Sequence, residues 1–223
     1  MNDIIQVCNV GKNFKGKTIL KDVNLTIEKG KTIGIIGSNG SGKSVLFKLI
    51  AGFMTPDTGE IYVRGQKLGQ DIDFPPNTGA LINEPGFLEL YSGFKNLQFL
   101  AKINDKINDA KIRETLQSVG LNPDDNSRVG VYSMGMKKKL GIAQAIMEDQ
   151  DIIILDEPFN ALDFKTYKDI KEIIKEQQNK GNTILLTSHN QADIEELCDE
   201  TYIILENEVV PLTEEIKEEY LQR

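Results

Sequence analysis

The chain has 223 residues, 39% hydrophobic and 27% charged, with a formal net charge of −8. That length suits one domain or two small lobes burying roughly 70–75% of the unfolded surface, which needs no disulfide or metal staple, and the composition excludes a disordered chain. The acidic balance argues against nucleic acid or an anionic lipid surface as partner, and no apolar run approaches the ~20 residues that span a bilayer.

The chain starts Met1-Asn2-Asp3, without the basic and apolar regions of a signal peptide. Residues 4–10 read as a strand. So do the alternating Val23, Leu25 and Ile27, closed by Lys29-Gly30, and residues 59–63. These predict an antiparallel sheet beside the main core. Cys8 and Cys198 have no CxxC pattern around them and read as two free thiols in a cytosolic chain. Thr32-Ile33-Gly34-Ile35-Ile36 is an apolar run ending in a glycine-rich turn, with a helix expected over 43–50.

Residues 92–147 read as helices only. Phe94, Leu97 and Ala101 stripe the first; Ile112, Leu116 and Val119 stripe the second, and Gly120 ends it. Another helix is expected over 137–147, with Lys137-Lys138-Lys139 as a solvated face. Residues 152–155 and 183–186 are apolar runs without alternation, as in parallel strands buried on both faces. The helix between them, over 164–180, has Tyr167, Ile170 and Ile174 as its core stripe. Strand, helix, strand in this order implies a right-handed crossover and a mostly parallel sheet. Leu212, Ile216 and Tyr220 mark a last amphipathic helix with Thr213 as its N-cap.

Gly37-Ser38-Asn39-Gly40-Ser41-Gly42-Lys43-Ser44 fits GxxxxGK[ST], between a buried strand and a helix. The glycines let successive N–H groups turn inward as a nest for anionic oxygens, and the helix N-terminus adds its positive end. Lys43 supplies a point charge for the β- and γ-phosphates, and the Ser44 hydroxyl suits Mg²⁺. Val45 follows in the same loop-to-helix turn. A plain Gly/Ser turn would carry the same glycines but has no reason for the strand before it and the helix after it. Residues 152–155 deliver Asp156 and Glu157 to the carboxyl end of a strand, where open α/β sheets bind ligands. Asp156 can hold Mg²⁺ through water and Glu157 can polarise an attacking water.

From here the sequence resembles an ATP-binding cassette (ABC) domain. Tyr132-Ser133-Met134-Gly135-Met136 resembles that family's LSGGQ signature. Asp156-Glu157-Pro158 with Ala161-Leu162-Asp163 resembles its Walker B motif and D-loop, and Thr187-Ser188-His189 its switch histidine. Phe14 stands where the family places an aromatic on adenine, and Asn83 where it usually has the Q-loop glutamine. The resemblance covers essentially the whole chain. It implies an α/β fold: a P-loop NTPase core with a mostly parallel sheet, an antiparallel β sub-domain and an inserted helical sub-domain. A single domain is expected over 1–223, with the core at 1–84 and 151–223 and the helical insert at 85–150.

The same resemblance implies MgATP as ligand. Phe14, residues 37–45, Asn83, Ser133, Gly135, Met136 and Asp163 would bind nucleotide; Ser44, Asp156 and Asn83 would hold Mg²⁺; Glu157, His189 and Lys43 would be catalytic. Two copies would pair head-to-tail, Ser133 and Gly135 of one meeting the γ-phosphate held by Lys43 of the other. Hydrolysis would drive a separate transmembrane permease from the cytoplasmic face of the membrane, with no insertion of this chain. Asn83 is one methylene shorter than glutamine, so a water is expected between its amide and the ion. Met134 and Met136 replace a glycine and a glutamine of the signature, while Ser133 and Gly135 remain.

Leu81-Ile82-Asn83-Glu84-Pro85-Gly86-Phe87 and the stretch from Tyr132 to Ala145 resemble the ATPases of bacitracin and lantibiotic exporters. Phe87, Leu88, Leu90 and Tyr91 are expected to line a docking groove for the permease. Two other readings are a soluble cassette serving cofactor assembly and a P-loop kinase. The kinase has no use for residues 132–136 or for His189.

Overall fold

The structure is a computed structural model that describes residues 2–83 and 86–221. Two compact units divide the chain: residues up to Pro76 with those from Leu185 onward, and Asn77–Ile184. The first unit opens with β1 (Asp3–Phe14), β2 (Lys17–Glu28), β3 (Thr32–Ile36), α1 (Lys43–Ile50), β4 (Thr58–Val63) and β5 (Gln66–Lys67). The second holds β6 (Thr78–Leu81), α2 (Gly93–Asn104), α3 (Asp109–Ser118), a 3-10 turn at Val129–Val131, α4 (Met134–Ile146), β7 (Ile152–Leu155) and α5 (Phe164–Asn179). The strand β8 (Thr183–Thr187) begins in the second unit and ends in the first, which closes with α6 (Gln191–Leu197), β9 (Glu200–Leu205), β10 (Glu208–Pro211) and α7 (Glu214–Leu221). The fold is α/β, with a mixed sheet containing parallel strands and a separate antiparallel sheet, as expected.

In the first unit, β1 and β2 form a hairpin whose turn residues, Lys15 and Gly16, both have positive φ (48° and 80°). That pairing matches the right-handed twist of the strands it joins. Val23, Leu25 and Ile27 are buried between exposed neighbours, giving β2 one core face. The antiparallel order is β2-β1-β4-β5. Parallel pairing joins β3 to β9, with Ile35 opposite Tyr202, and β9 turns back into β10. Ile33 and Ile35 of β3 and Leu46, Phe47 and Leu49 of α1 are fully buried. Each such side chain contributes ~1.5–3 kcal/mol to stability. Gly34 lets α6 approach β3, since a Cβ there would stand 2.9 Å from Cys198 Sγ and 3.0 Å from Ile194 Cγ2. Burial pushes the Cys198 thiol up to about 12, and both Cys8 and Cys198 are free. Thr213 Oγ1 accepts from Ile216 N and caps α7 as expected; the side chain of Tyr220 lies outside the described residues.

In the second unit, β6 and β7 pair in parallel, with Ala80 opposite Ile154. All four residues of β7 are buried, which explains its unbroken run of Ile and Leu. The helix α4 crosses β6 at Gly79, where a Cβ would fall 1.8 Å from the carbonyl oxygen of Ala145. Backbone on both sides leaves nothing flexible to give way. Gly79→Ala is therefore expected to lower stability by about 2–3 kcal/mol in urea unfolding, the upper range for an overpacked core. An unfolding midpoint equal to the parent's would refute this packing.

The stretch 92–147 is helical as expected, and polar residues cap its helices. Ser92 Oγ accepts from Lys95 N, Asn108 Oδ1 from Lys111 N, and Gly120 has φ 74° where α3 ends. Two expectations are corrected here. The third helix starts at Met134, not at 137, because Ser133 caps it by accepting from Met136 N at 3.2 Å. The lysine run is not a solvated face: Lys138 and Lys139 are buried, and only Lys137 is half-exposed. The core stripe of α5 is Ile170, Ile173 and Ile174, with Tyr167 half-buried against Phe159.

Candidate nucleotide site

Each unit carries its own set of expected site residues. The first holds Phe14, residues 37–45 and His189. Between β3 and α1 the chain takes positive φ at Gly37 (148°), Gly40 (78°) and Gly42 (111°). A Cβ on Gly37 would meet Ser41 Oγ at 2.7 Å, and one on Gly42 would meet Ile19 Cγ2 at 3.0 Å. These are backbone shapes and clearances that side chains deny, and they turn amide groups into one concave loop. Ser38, Asn39 and Gly40 form its exposed tip. The helix α1 has Gly42 as N-cap with no side-chain hydrogen bond covering its first turn. That end can receive an anion from outside the chain.

Lys43 is buried, and its Nζ donates to the carbonyl oxygens of Gly37 (2.9 Å) and Ser38 (3.3 Å). The ammonium thus lies back over the loop at the head of α1. Ser44 and Val45, half-buried, follow in the first turn. A cleft of about 980 Å³ borders Ser38 and Ser41 on the side of the β9–β10 hairpin. Phe14, Lys43 and His189 do not line it.

Phe14 ends β1, 42% exposed, with Lys12 Nζ 5.6 Å from its ring centroid. Asp57 fixes that strand end: it accepts from Lys12 Nζ (2.7 Å) and from Asn13 N (2.7 Å), which hold its carboxyl below the usual range. An aromatic face at a braced strand end can stack on a heterocycle. His189 is exposed just beyond β8. Buried Ser188 next to it donates to Asp193 Oδ2 (3.1 Å) and accepts from Asn190 N (3.0 Å). This tight turn presents the imidazole outward.

The second unit holds Asn83, Ser133, Gly135, Met136, Asp156, Glu157 and Asp163. Asp156 is 2% exposed and its N–H bonds the Leu81 carbonyl (2.8 Å) at the carboxyl ends of β6 and β7. Asn83, two residues past Leu81, is exposed with φ 60°. Glu157 has φ 52° and Ala161 φ 61°. For residues other than glycine such backbone costs ~1–3 kcal/mol and gathers at functional sites; asparagine tolerates it best. Ser133 is exposed at the head of α4, Gly135 is buried, and Met136 is half-buried. Asp163 caps α5, accepting from Lys165 N, Thr166 N and Thr166 Oγ1. The Thr166 hydroxyl, chiefly, holds its carboxyl below the usual range.

Sequence reasoning missed Lys138 and Lys139. Lys138 Nζ donates to the Glu157 carbonyl oxygen (2.9 Å), and Lys139 Nζ pairs with Asp169 (2.7 Å). The signal lay in helical spacing: counted from Gly135, positions 138, 139, 142 and 146 share a face.

The donors expected around Mg²⁺ are a hydroxyl (Ser44), a carboxylate (Asp156) and an amide oxygen (Asn83). Such hard oxygen ligands suit that ion. Among the described residues there is no cluster of three or more His, Cys, Asp or Glu. Nor is any helix among them long and apolar enough to cross a membrane.

The family model described as ABC transporter matches residues 20–160. The Bacillus subtilis (strain 168) protein named Uncharacterized ABC transporter ATP-binding protein YybJ is 40% identical over 196 residues, 88% of this chain and 90% of that one. The Lantibiotic transport ATP-binding protein SrtF of Streptococcus pyogenes is 32% identical over 208 residues, 93% of this chain and 89% of that one. A solved ATP-binding subunit of an ABC transporter superposes with a TM-score of 0.84 at 27% identity, covering 99% of this chain and 94% of that one. These similarities set aside the kinase reading and favour a transport ATPase over a cassette of a non-transport complex. The chain belongs to the ABC transporter family, as one of its ATP-binding, ATP-hydrolysing cassettes.

Proposed function

We propose that the chain powers export of a peptide antibiotic or similar amphipathic compound through a separate transmembrane permease, working in a head-to-tail pair. It would sit on the cytoplasmic face of the membrane, held there by the permease. The glycine loop at 37–42 and the head of α1 grip the phosphates, Lys43 neutralises the β- and γ-oxygens, and Phe14 stacks on the base. Ser44, with Asp156 and Asn83 acting through water, would hold Mg²⁺, which would supply positive charge to stabilise the charge that develops on the phosphates. Glu157 accepts a hydrogen bond from water, whose oxygen bonds the γ-phosphorus as the bond to the bridging oxygen breaks; ADP leaves and the water's proton passes to the carboxylate. His189 donates to the γ-phosphate. Ser133 and Gly135 complete the site of the other protomer, with Met136 and Asp163 beside them.

The observation that carries the transport half of this reading is an exposed apolar cluster in the second unit. Leu88, Leu90 and Tyr91 are 54%, 73% and 46% exposed, too much clustered apolar surface to leave bare. They lie beside a groove of about 210 Å³ lined by Phe87, Val129 and Met134 together with the charged Glu89, Lys137 and Lys138; of the four residues expected to line such a groove, Phe87 does and Leu88, Leu90 and Tyr91 do not. Asn96 of α2 braces this loop: its Oδ1 accepts from Leu88 N (2.8 Å) and its Nδ2 donates to the Leu88 carbonyl (3.2 Å). An amphipathic helix from a permease fits such a surface. The resemblance to SrtF, a lantibiotic transport protein by name, supports a peptide as cargo.

Leu90→Asp tests it. The tagged chain, purified from native membranes in mild detergent, should bring down a polytopic membrane protein. The variant should recover about ten-fold less, since a buried charge disrupts an apolar interface. Equal recovery by parent and variant would refute docking at this groove.

A further inference from the structure

The first turns of α4 are fastened to the segment that follows β7. Lys138 is 7% exposed, and its Nζ donates to the main-chain carbonyl oxygen of Glu157 at 2.9 Å. Next to it Lys139 pairs with Asp169 at 2.7 Å. Nearer the head of α4, a Cβ on Gly135 would stand 2.7 Å from Thr166 Cγ2, and the hydroxyl of Thr166 is held by Asp163. Two ion-assisted contacts and one close packing therefore bind the same two segments.

A lysine is rarely this buried without a partner for its charge, and a bond from an ammonium is stronger than one between neutral groups. The carbonyl that Lys138 holds belongs to the 157–158 peptide, and Pro158 has no N–H through which that peptide could be tied from its other side. Glu157 stands at φ 52°, a backbone that glutamate keeps only where its surroundings impose it. The backbone that aims this carbonyl at Lys138 also sets the direction in which the Glu157 side chain leaves the chain.

We propose that Lys138 is a positioning residue: its ammonium fixes the backbone of Glu157 and ties the water-activating carboxylate to the helix that starts at Ser133. The inference rests on the role assigned above to Glu157. It has a consequence for the pair. Ser133 and Gly135 serve the nucleotide of the other protomer, whereas Glu157 serves its own, so closure of α4 on one nucleotide reaches the carboxylate that attacks the other. The same lysine lines the groove beside Phe87, so it stands between the docking surface and the chemistry.

The test is steady-state phosphate release by the full chain with Mg²⁺ and ATP. Lys138→Met keeps the length of the stem and removes the ammonium. We expect kcat to fall about ten-fold while KM for ATP changes less than about two-fold, and Lys138→Arg to restore about half of the parent kcat. Added to Glu157→Gln, Lys138→Met should lower the residual rate by less than about two-fold, since no carboxylate remains to be aimed. If Lys138→Met does not fold, Lys138→Gln, which keeps a neutral donor, carries the test with a smaller expected loss of kcat, about three-fold. A parent kcat in Lys138→Met or Lys138→Gln overturns the proposal. So does equal loss in Lys138→Arg, or a full ten-fold loss on top of Glu157→Gln. A Glu157→Gln variant that turns over at the parent rate overturns the role of Glu157 itself, and that is read without any lysine variant.

Discussion

Glu157→Gln should reduce ATP turnover about 10²–10³-fold while leaving ATP affinity within about two-fold of the parent, because a general base contributes on that scale and the change touches no phosphate-binding group. In activation free energy this is about 2.7–4 kcal/mol. Glutamine matches glutamate in shape. It should keep the left-handed backbone at 157, and the main-chain carbonyl stays available to Lys138. What the amide cannot do is take up a proton from water. The variant should therefore load MgATP, close with a second copy and stall. Phosphate release under saturating ATP measures the first effect, and fluorescent-nucleotide titration the second. Parent-rate hydrolysis would remove Glu157 from the chemistry. A loss of affinity equal to the loss of rate would make it a binding residue.

The limits of β7 and α1 were legible because both are marked by abrupt changes of residue type. Four buried aliphatics run into Asp156, and the glycine loop gives way to Lys43 at a helix head. The phosphate loop was legible for a related reason: its shape depends on glycine, and glycine is visible in a sequence. The head of α4 was not. Reading 132–136 as a motif treated it as a loop, although Ser133 is a strong N-cap type and begins the helix in the structure. Lys138 and Lys139 face the core because they share a helix face with Gly135, Ile142 and Ile146, a spacing that three consecutive lysines obscure. Nor does any side chain announce a positive φ at Glu157, since glutamate is a poor residue for it. Asn83 could have been suspected, because asparagine visits that region readily.

Ser133→Arg should abolish nucleotide-driven pairing. On the Glu157→Gln background, gel filtration with ATP should give a dimer for the single variant and a monomer for the double, a weakening of at least about 10³-fold, or ~4 kcal/mol. Ser133 is exposed at the head of α4, where its Oγ accepts from Met136 N. Arginine does two things there. It removes the cap, at about 1 kcal/mol to its own helix, and it puts a long side chain on the surface proposed to meet the other protomer's phosphates. A guanidinium attracts phosphates. In the proposed pair, however, a side chain that must be swung aside or buried costs more than one added charge contact returns in a full interface. Ser133→Ala separates the two effects. It loses the cap and adds no bulk, so it should weaken the dimer by no more than about ten-fold. If Ser133→Arg and Ser133→Ala weaken it equally, only the helix cap matters. If neither does, the head of α4 does not face the second copy, and the head-to-tail arrangement falls with it.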